Sequence, residues 1–163
     1  MMRAAMLSID ERALAAMRTH AEEGFPEECC GVVFATPEGQ VVRRMTNVQN
    51  RLHAADPVAH PRDARTAYQM DPRELFEVSR DGDQPGWRIL VFYHSHPSHG
   101  AYFSATDRAR ALWGEPPDAE PAYPGVGYVV VSVYDRAVRD VKAYAWDDAT
   151  RDFVEVALQA APA

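Results

Sequence analysis

The chain has 163 residues, 47% hydrophobic and 25% charged, a balance that suits one ordinary core and excludes a disordered chain. Seventeen basic and twenty-four acidic residues leave a net charge of −7, and no basic stripe forms although sixteen of the seventeen bases are arginine. Such an acidic surface repels phosphate backbones, so nucleic acid is not an expected partner.

Asp10 and Glu11 interrupt the apolar stretch that a secretory signal would need. No run approaches the ~18 apolar residues of a membrane span. The two cysteines, Cys29 and Cys30, are adjacent and provide no loop-closing disulfide framework. The expected address is the cytoplasm, without a membrane partner, and the expected organisation is a single domain over 1–163.

In chain order, Ser8 and Glu11 have the spacing of a capping box, and Ile9, Ala13, Leu14, Met17 and Ala21 recur at helical intervals, predicting a helix that ends near Gly24. "EECCGVVFA" and "QVVRRMTNV" are β-rich and flank "TPEGQ", which predicts a strand pair around a turn. From Asn50 to Met70 there is little periodicity, and a loop this long inside one domain is often functional. Asp71 and Pro72 supply an N-cap and a first-turn proline for a second helix to about Arg80, with Leu75, Phe76 and Val78 on one face.

"WRILVFYHSH" reads as a central strand buried on both faces. Ser104 opens a third helix in which Ala105, Ala109 and Leu112 can face inward. A second breaker-rich loop, "GEPPDAEPAYPG", follows, and three further strand candidates, "VGYVVVSVY", "AVRDVKAYAW" and "DFVEVAL", close the chain. The order predicts an α/β or α+β fold, a mixed β-sheet packed by helices.

Chemistry concentrates in "YHSHPSHGAYFSATD", Tyr93–Asp107, which holds three of the six histidines. His94 and His96 are two apart at a strand end, so alternation turns both to one side. Two neutral imidazoles and a carboxylate form a ligand set for zinc, and Asp107, one turn into the next helix, can be the third member. The blander alternative makes Asp107 a partner of first-turn amides beside an N-cap Ser104, with the histidines on a solvated loop. There is no "HExxH" and no "CxxC", against a zincin helix or a deaminase-type zinc site.

The ordered pattern resembles the JAMM (MPN-plus) metalloprotease signature, His-x-His, seven residues, Ser, two residues, Asp, and His94, His96, Ser104 and Asp107 fill each position. A second family motif, Pro-x-Glu-x-Cys-Gly, is met by Pro26, Glu28, Cys30 and Gly31. Phe103 departs from the proline that many bacterial members carry before the serine. The resemblance implies an MPN/JAMM fold, cytidine-deaminase-like, with zinc held by His94, His96 and Asp107. It also implies Glu28 as general base and acid, and Ser104 as hydrogen-bond donor to the oxygen that gains charge.

The residues themselves leave Glu27 and Glu28 as alternatives on opposite faces, and the family register selects Glu28. His99 reads as a rim residue, Ser95 as a maker of supporting hydrogen bonds, and Cys30 as a small packing residue. His20, His53 and His60 read as surface or packing histidines.

The family resemblance further implies a zinc-dependent peptidase or isopeptidase. A compact chain resembles the bacterial branch that acts after the C-terminal Gly-Gly of ubiquitin-like sulfur-carrier proteins, releasing cysteine or trimming a tail. The segments 50–70 and 114–125 are candidate groove walls. A zinc amidohydrolase of small peptides and a non-catalytic MPN scaffold are the alternatives, and exposed sheet edges leave room for a homodimer.

Overall fold

The computed structural model describes residues 5–163. Strand β1 (Met6–Asp10) leads into helix α1 (Glu11–Gly24), where the sequence pattern predicts helix from Ser8 onward. The cap is Asp10, whose Oδ1 accepts from the Ala13 amide at 2.7 Å. Ser8 stays in the strand because β1 pairs in parallel with a strand some 150 residues later, a partner no local pattern announces. Ala13, Met17 and Ala21 form the buried face of α1, as their spacing requires.

Strands β2 (Cys30–Thr36) and β3 (Gly39–Met45) form the expected antiparallel pair. The segment after them is not all loop, since α2 (Gln49–Ala55) occupies its start. Helix α3 (Pro72–Gly82) carries the expected Asp71 cap, which accepts from the Arg73 amide. Val78 is buried, whereas Phe76 is 70% exposed and so lies off the packed face.

Strand β4 (Arg88–Pro97) is central, paired antiparallel with β2 on one side. Helix α4 (Ala105–Arg110) is short, and its buried residue is Asp107, with Ala111 buried at its C-cap and Ala105 and Ala109 exposed. Alanine spacing is a weak packing signal, and the Ser104–Asp107 cap turns the helix instead. The proline-rich segment holds half of a small ribbon, β5 (Leu112–Trp113) against β6 (Glu120–Pro121).

Strands β7 (Gly127–Tyr134), β8 (Ala137–Asp147) and β9 (Asp152–Ala161) complete a seven-stranded mixed sheet ordered β1-β9-β8-β7-β4-β2-β3. Asp135 and Arg136, both at positive φ, make the two-residue turn between β7 and β8, a geometry whose twist matches a hairpin.

Two apolar layers sandwich the sheet. One packs Ala13, Met17 and Ala21 of α1 against Val91, Tyr93, Val129 and Val131. The other gathers Phe92, Val130, Val78 and Phe103 on the opposite face. Alternation along β4 therefore sends Tyr93 and Ser95 towards α1, and Phe92, His94 and His96 to the other side.

Candidate metal centre

His94, His96 and Asp107 are 1%, 6% and 6% exposed. They arrive from two elements: the end of β4, which parallel pairing with β7 holds straight through Pro97, and the first turn of α4. Asp107 Oδ2 lies 3.1 Å from His94 Nε2 and 3.4 Å from His96 Nε2, and the two Nε2 atoms are 3.1 Å apart. The capping reading of Asp107 is also realised: its amide donates to Ser104 Oγ and its Oδ2 accepts from the Ser104 amide, both at 3.0 Å. Capping and convergence on the histidines are one arrangement, because the cap fixes the carboxylate facing the strand.

The set fits a tetrahedral cation. Ligand atoms about 2.0–2.1 Å from such an ion stand about 3.3 Å from one another, close to the three separations found. His96 Nδ1 is 2.8 Å from the Gly100 carbonyl, which can only accept, so Nδ1 carries the proton. In neutral His96 the Nε2 lone pair then faces a carboxylate oxygen, a repulsion that a proton on Nε2 or a bound cation relieves. Tyr68 stacks on His94, with ring centres 4.5 Å apart, and Tyr102 lies 5.0 Å from His96, so both rings are held by packing as well.

Glu28 lies two residues before β2, in extended chain that enters the strand. It is 7% exposed, and one of its carboxylate oxygens falls within 4.8 Å of the same histidine nitrogens. Glu27 points away, accepting from Asn50 Nδ2 at 2.9 Å. The Glu28 backbone is clamped: its amide donates to the Ala64 carbonyl at 2.7 Å and its carbonyl accepts from Asn47 Nδ2 at 2.9 Å.

Asn47 also donates to the Ala67 carbonyl and accepts from the Gln49 and Gln69 amides. One half-buried side-chain amide thus ties segment 50–70 to the glutamate. Sequence reasoning passed over Asn47, Tyr68, Arg62 and Arg110, whose roles depend on which distant residues they meet. The long aperiodic segment was the one signal that something is held there.

On the reverse face of β4, Ser95 Oγ accepts from the Cys29 amide at 2.8 Å, and the Ser95 amide donates to the Cys29 carbonyl at 3.0 Å. These are the supporting hydrogen bonds expected of Ser95. Cys30 packs in the core with Sγ 3.8 Å from the Met45 carbonyl, and both cysteines are free. Phe103 packs against Tyr128, Tyr144 and Phe153 at 5.2–5.3 Å, anchoring the loop in the core where a proline would have stiffened it locally. His20 Nδ1 lies 2.7 Å from the Tyr93 hydroxyl, and His53 bonds the His60 carbonyl.

Burial dominates the electrostatics. It pushes the Glu28 carboxyl up to about 7, with His96 opposing and Asp107 adding to the rise. It also pushes His94 below its ordinary value. Burial works against ionisation of Asp107, but His94, His96 and the Ser104 amide together hold its carboxyl well below the usual range. In His96 burial is outweighed by the hydrogen bonds to Asp107 and Gly100, and the ring is raised.

The centre opens into a cleft of about 400 Å³. Glu28, Ser104, Asp107 and the rim residue His99 line it, with Arg62, Thr66, Ala67 and Tyr68 from segment 50–70 forming one wall. Segment 114–125 does not reach this cleft. Its Tyr123 lines an adjoining apolar pocket of about 180 Å³ that shares Tyr68, Asp107 and Arg110 with it.

Fold and cluster together define the class: a mixed α/β domain with two histidines and a carboxylate at the open end of its central strand. A model of the prokaryotic homologs of the JAB domain matches residues 10–147, and the chain belongs to that family, as the His-x-His and Pro-x-Glu-x-Cys-Gly motifs imply. The chain is 33% identical over 135 residues to a desampylase of Haloferax volcanii, covering 80% of this chain and 84% of that one. It is 32% identical over 129 residues to the CysO-cysteine peptidase of Mycobacterium tuberculosis, covering 79% and 75%.

Two solution structures share the fold. A protein from Desulfitobacterium hafniense superposes with TM-score 0.67 at 19% identity, covering 98% of this chain and 94% of that one. One from Salinibacter ruber superposes with TM-score 0.57 at 25% identity, covering 96% and 92%.

Proposed function

We propose that the chain is a zinc-dependent peptidase or isopeptidase that hydrolyses the amide bond after the C-terminal Gly-Gly of a ubiquitin-like sulfur-carrier protein. The observation that carries this reading is the convergence of His94, His96 and Asp107 within 3.4 Å of one another beside a separate buried carboxylate, Glu28. Relatives named as a desampylase and a CysO-cysteine peptidase support a hydrolase acting on a small protein. The free, buried cysteines support a reducing, cytoplasmic compartment.

His94, His96 and Asp107 would hold zinc, which supplies Lewis acidity, drawing charge from a carbonyl oxygen and making water a nucleophile near neutral pH. Asp107 fits the ligand role better than Glu28, since its oxygen touches both imidazoles while Glu28 stands further back. That offset suits a general base. Glu28 takes the proton from the attacking water and delivers it to the leaving amine. Ser104 accepts the Asp107 amide with one lone pair, so its hydroxyl proton remains to be donated into the cleft, where it stabilises the oxygen that gains charge.

A Gly-Gly tail suits the cleft because it has no side chains to clear the wall at 66–68. Zinc content and hydrolysis of a carrier ending in Gly-Gly-Cys, followed by intact mass, test the reading. Wild type should hold about one zinc and release cysteine, Glu28→Gln should keep zinc and lose at least ~10² in rate, and His94→Ala should lose zinc. Zinc retained in His94→Ala, or an intact carrier with zinc-loaded wild type, would refute it.

A further inference from the structure

The cleft carries a charge pattern that hydrolysis does not by itself require. Arg62, on the wall from segment 50–70, and Arg110, on α4, both line it. Arg110 follows Asp107 by three residues and so lies on the same side of the helix. Its guanidinium stands 5.5 Å from the Tyr68 ring, the ring that stacks on His94. The Arg62 backbone is fixed by Gln49 Nε2, which donates to its carbonyl at 2.8 Å.

On a chain with seven surplus negative charges, six of the arginines among the described residues pair with a carboxylate and the others do not. The six are Arg43, Arg44, Arg65, Arg80, Arg108 and Arg151. Arg62 and Arg110 make no ion pair among the described residues, and the cleft's only carboxylates, Glu28 and Asp107, belong to the metal centre. Two arginines that line one opening, neither paired with a carboxylate, form a receptor for a small planar anion.

We propose that Arg62 and Arg110 bind the free α-carboxylate of the leaving residue, so that this site releases a single C-terminal amino acid rather than opening an isopeptide bond to an internal lysine. The inference rests on the hydrolase reading above. Hydrolysis adds water across the bond: the carrier's terminal glycine takes the hydroxyl and becomes a carboxylate, and the departing nitrogen takes a proton. In an α-linked amino acid the carboxyl carbon lies about 2.5 Å from that nitrogen, and so enters the cleft that both arginines line. A lysine side chain would place hydrocarbon there, leaving both guanidiniums unanswered.

The test uses zinc-loaded protein and two carriers that differ at one atom, ending in Gly-Gly-Cys with a free carboxylate or with a carboxamide. Wild type should cleave the acid with kcat/KM roughly 10–100-fold above the amide, the range for a charge-assisted pair. Arg62→Gln and Arg110→Gln should each slow the acid and spare the amide, and Arg110→Lys should recover part of the preference. Equal rates on acid and amide would overturn the inference while leaving the hydrolase reading intact. Variants that slow both carriers equally would also overturn it, because the arginines would then grip the carrier. If zinc-loaded wild type cleaves neither, the hydrolase reading fails and this inference fails with it.

Discussion

The two faces of β4 carry the same kinds of atom to different ends. Towards α1, the polar groups of Tyr93 and Ser95 are buried and answered, one by His20 and the other by the Cys29 backbone. On the opposite face, His94 and His96 are buried beside a carboxylate with their Nε2 atoms 3.1 Å apart. The closed face makes the strand rigid. The open face uses that rigidity to hold imidazoles together that would separate in a flexible loop.

The comparison can be broken from the closed side. Gly31 sits opposite Tyr93, and an added Cβ would run into the Tyr93 ring. Gly31→Ala should destabilise the protein by roughly 1–3 kcal/mol, towards the upper end because the ring is fully buried and cannot swing aside. Denaturant unfolding measures this, and zinc stoichiometry of the remaining folded protein should be unchanged.

A smaller change joins the two faces. Ser95→Ala strands the buried Cys29 amide one residue from Glu28, costing roughly 1–2 kcal/mol. If the closed face positions the base, kcat should fall with zinc content and KM retained, and Ser95→Thr should recover part of the loss. An unchanged kcat would show that Glu28 is held by Asn47 and Ala64 alone.

The mildest probe is pH. Burial lowers His20 from 6.5 to about 4, helped by Arg44. The folded state therefore favours the neutral ring, and the unfolded chain binds the extra proton between those values. This contribution to stability is complete above pH 6.5 and is lost as pH falls towards 4. His20→Gln should flatten the slope of unfolding free energy in that window, and because the ring is partly exposed the effect should be the smallest of the three.

Much of the site was legible because its spacing is local. A two-residue step along a strand turns His94 and His96 to one side whatever surrounds them, and Ser104 with Asp107 is a cap that any short helix can use. Long apolar runs likewise marked β4 and β7. The sequence pattern erred where a partner lay far away: Ser8 looks like a cap until β9 claims its strand, and Ala105 and Ala109 look inward until Asp107 turns α4.

What the sequence determined by itself was the family, the sheet-forming runs and the residue types that cluster at the end of β4, since these follow from residue identity at short range. Only the tertiary structure decided that Asn47 ties the loop to Glu28, that Tyr68 stacks on His94, and that Arg62 and Arg110 share a cleft while pairing with neither of its carboxylates. Those are contacts between segments remote in the chain, and the free energy that selects them comes from packing the whole sheet, which no local pattern encodes.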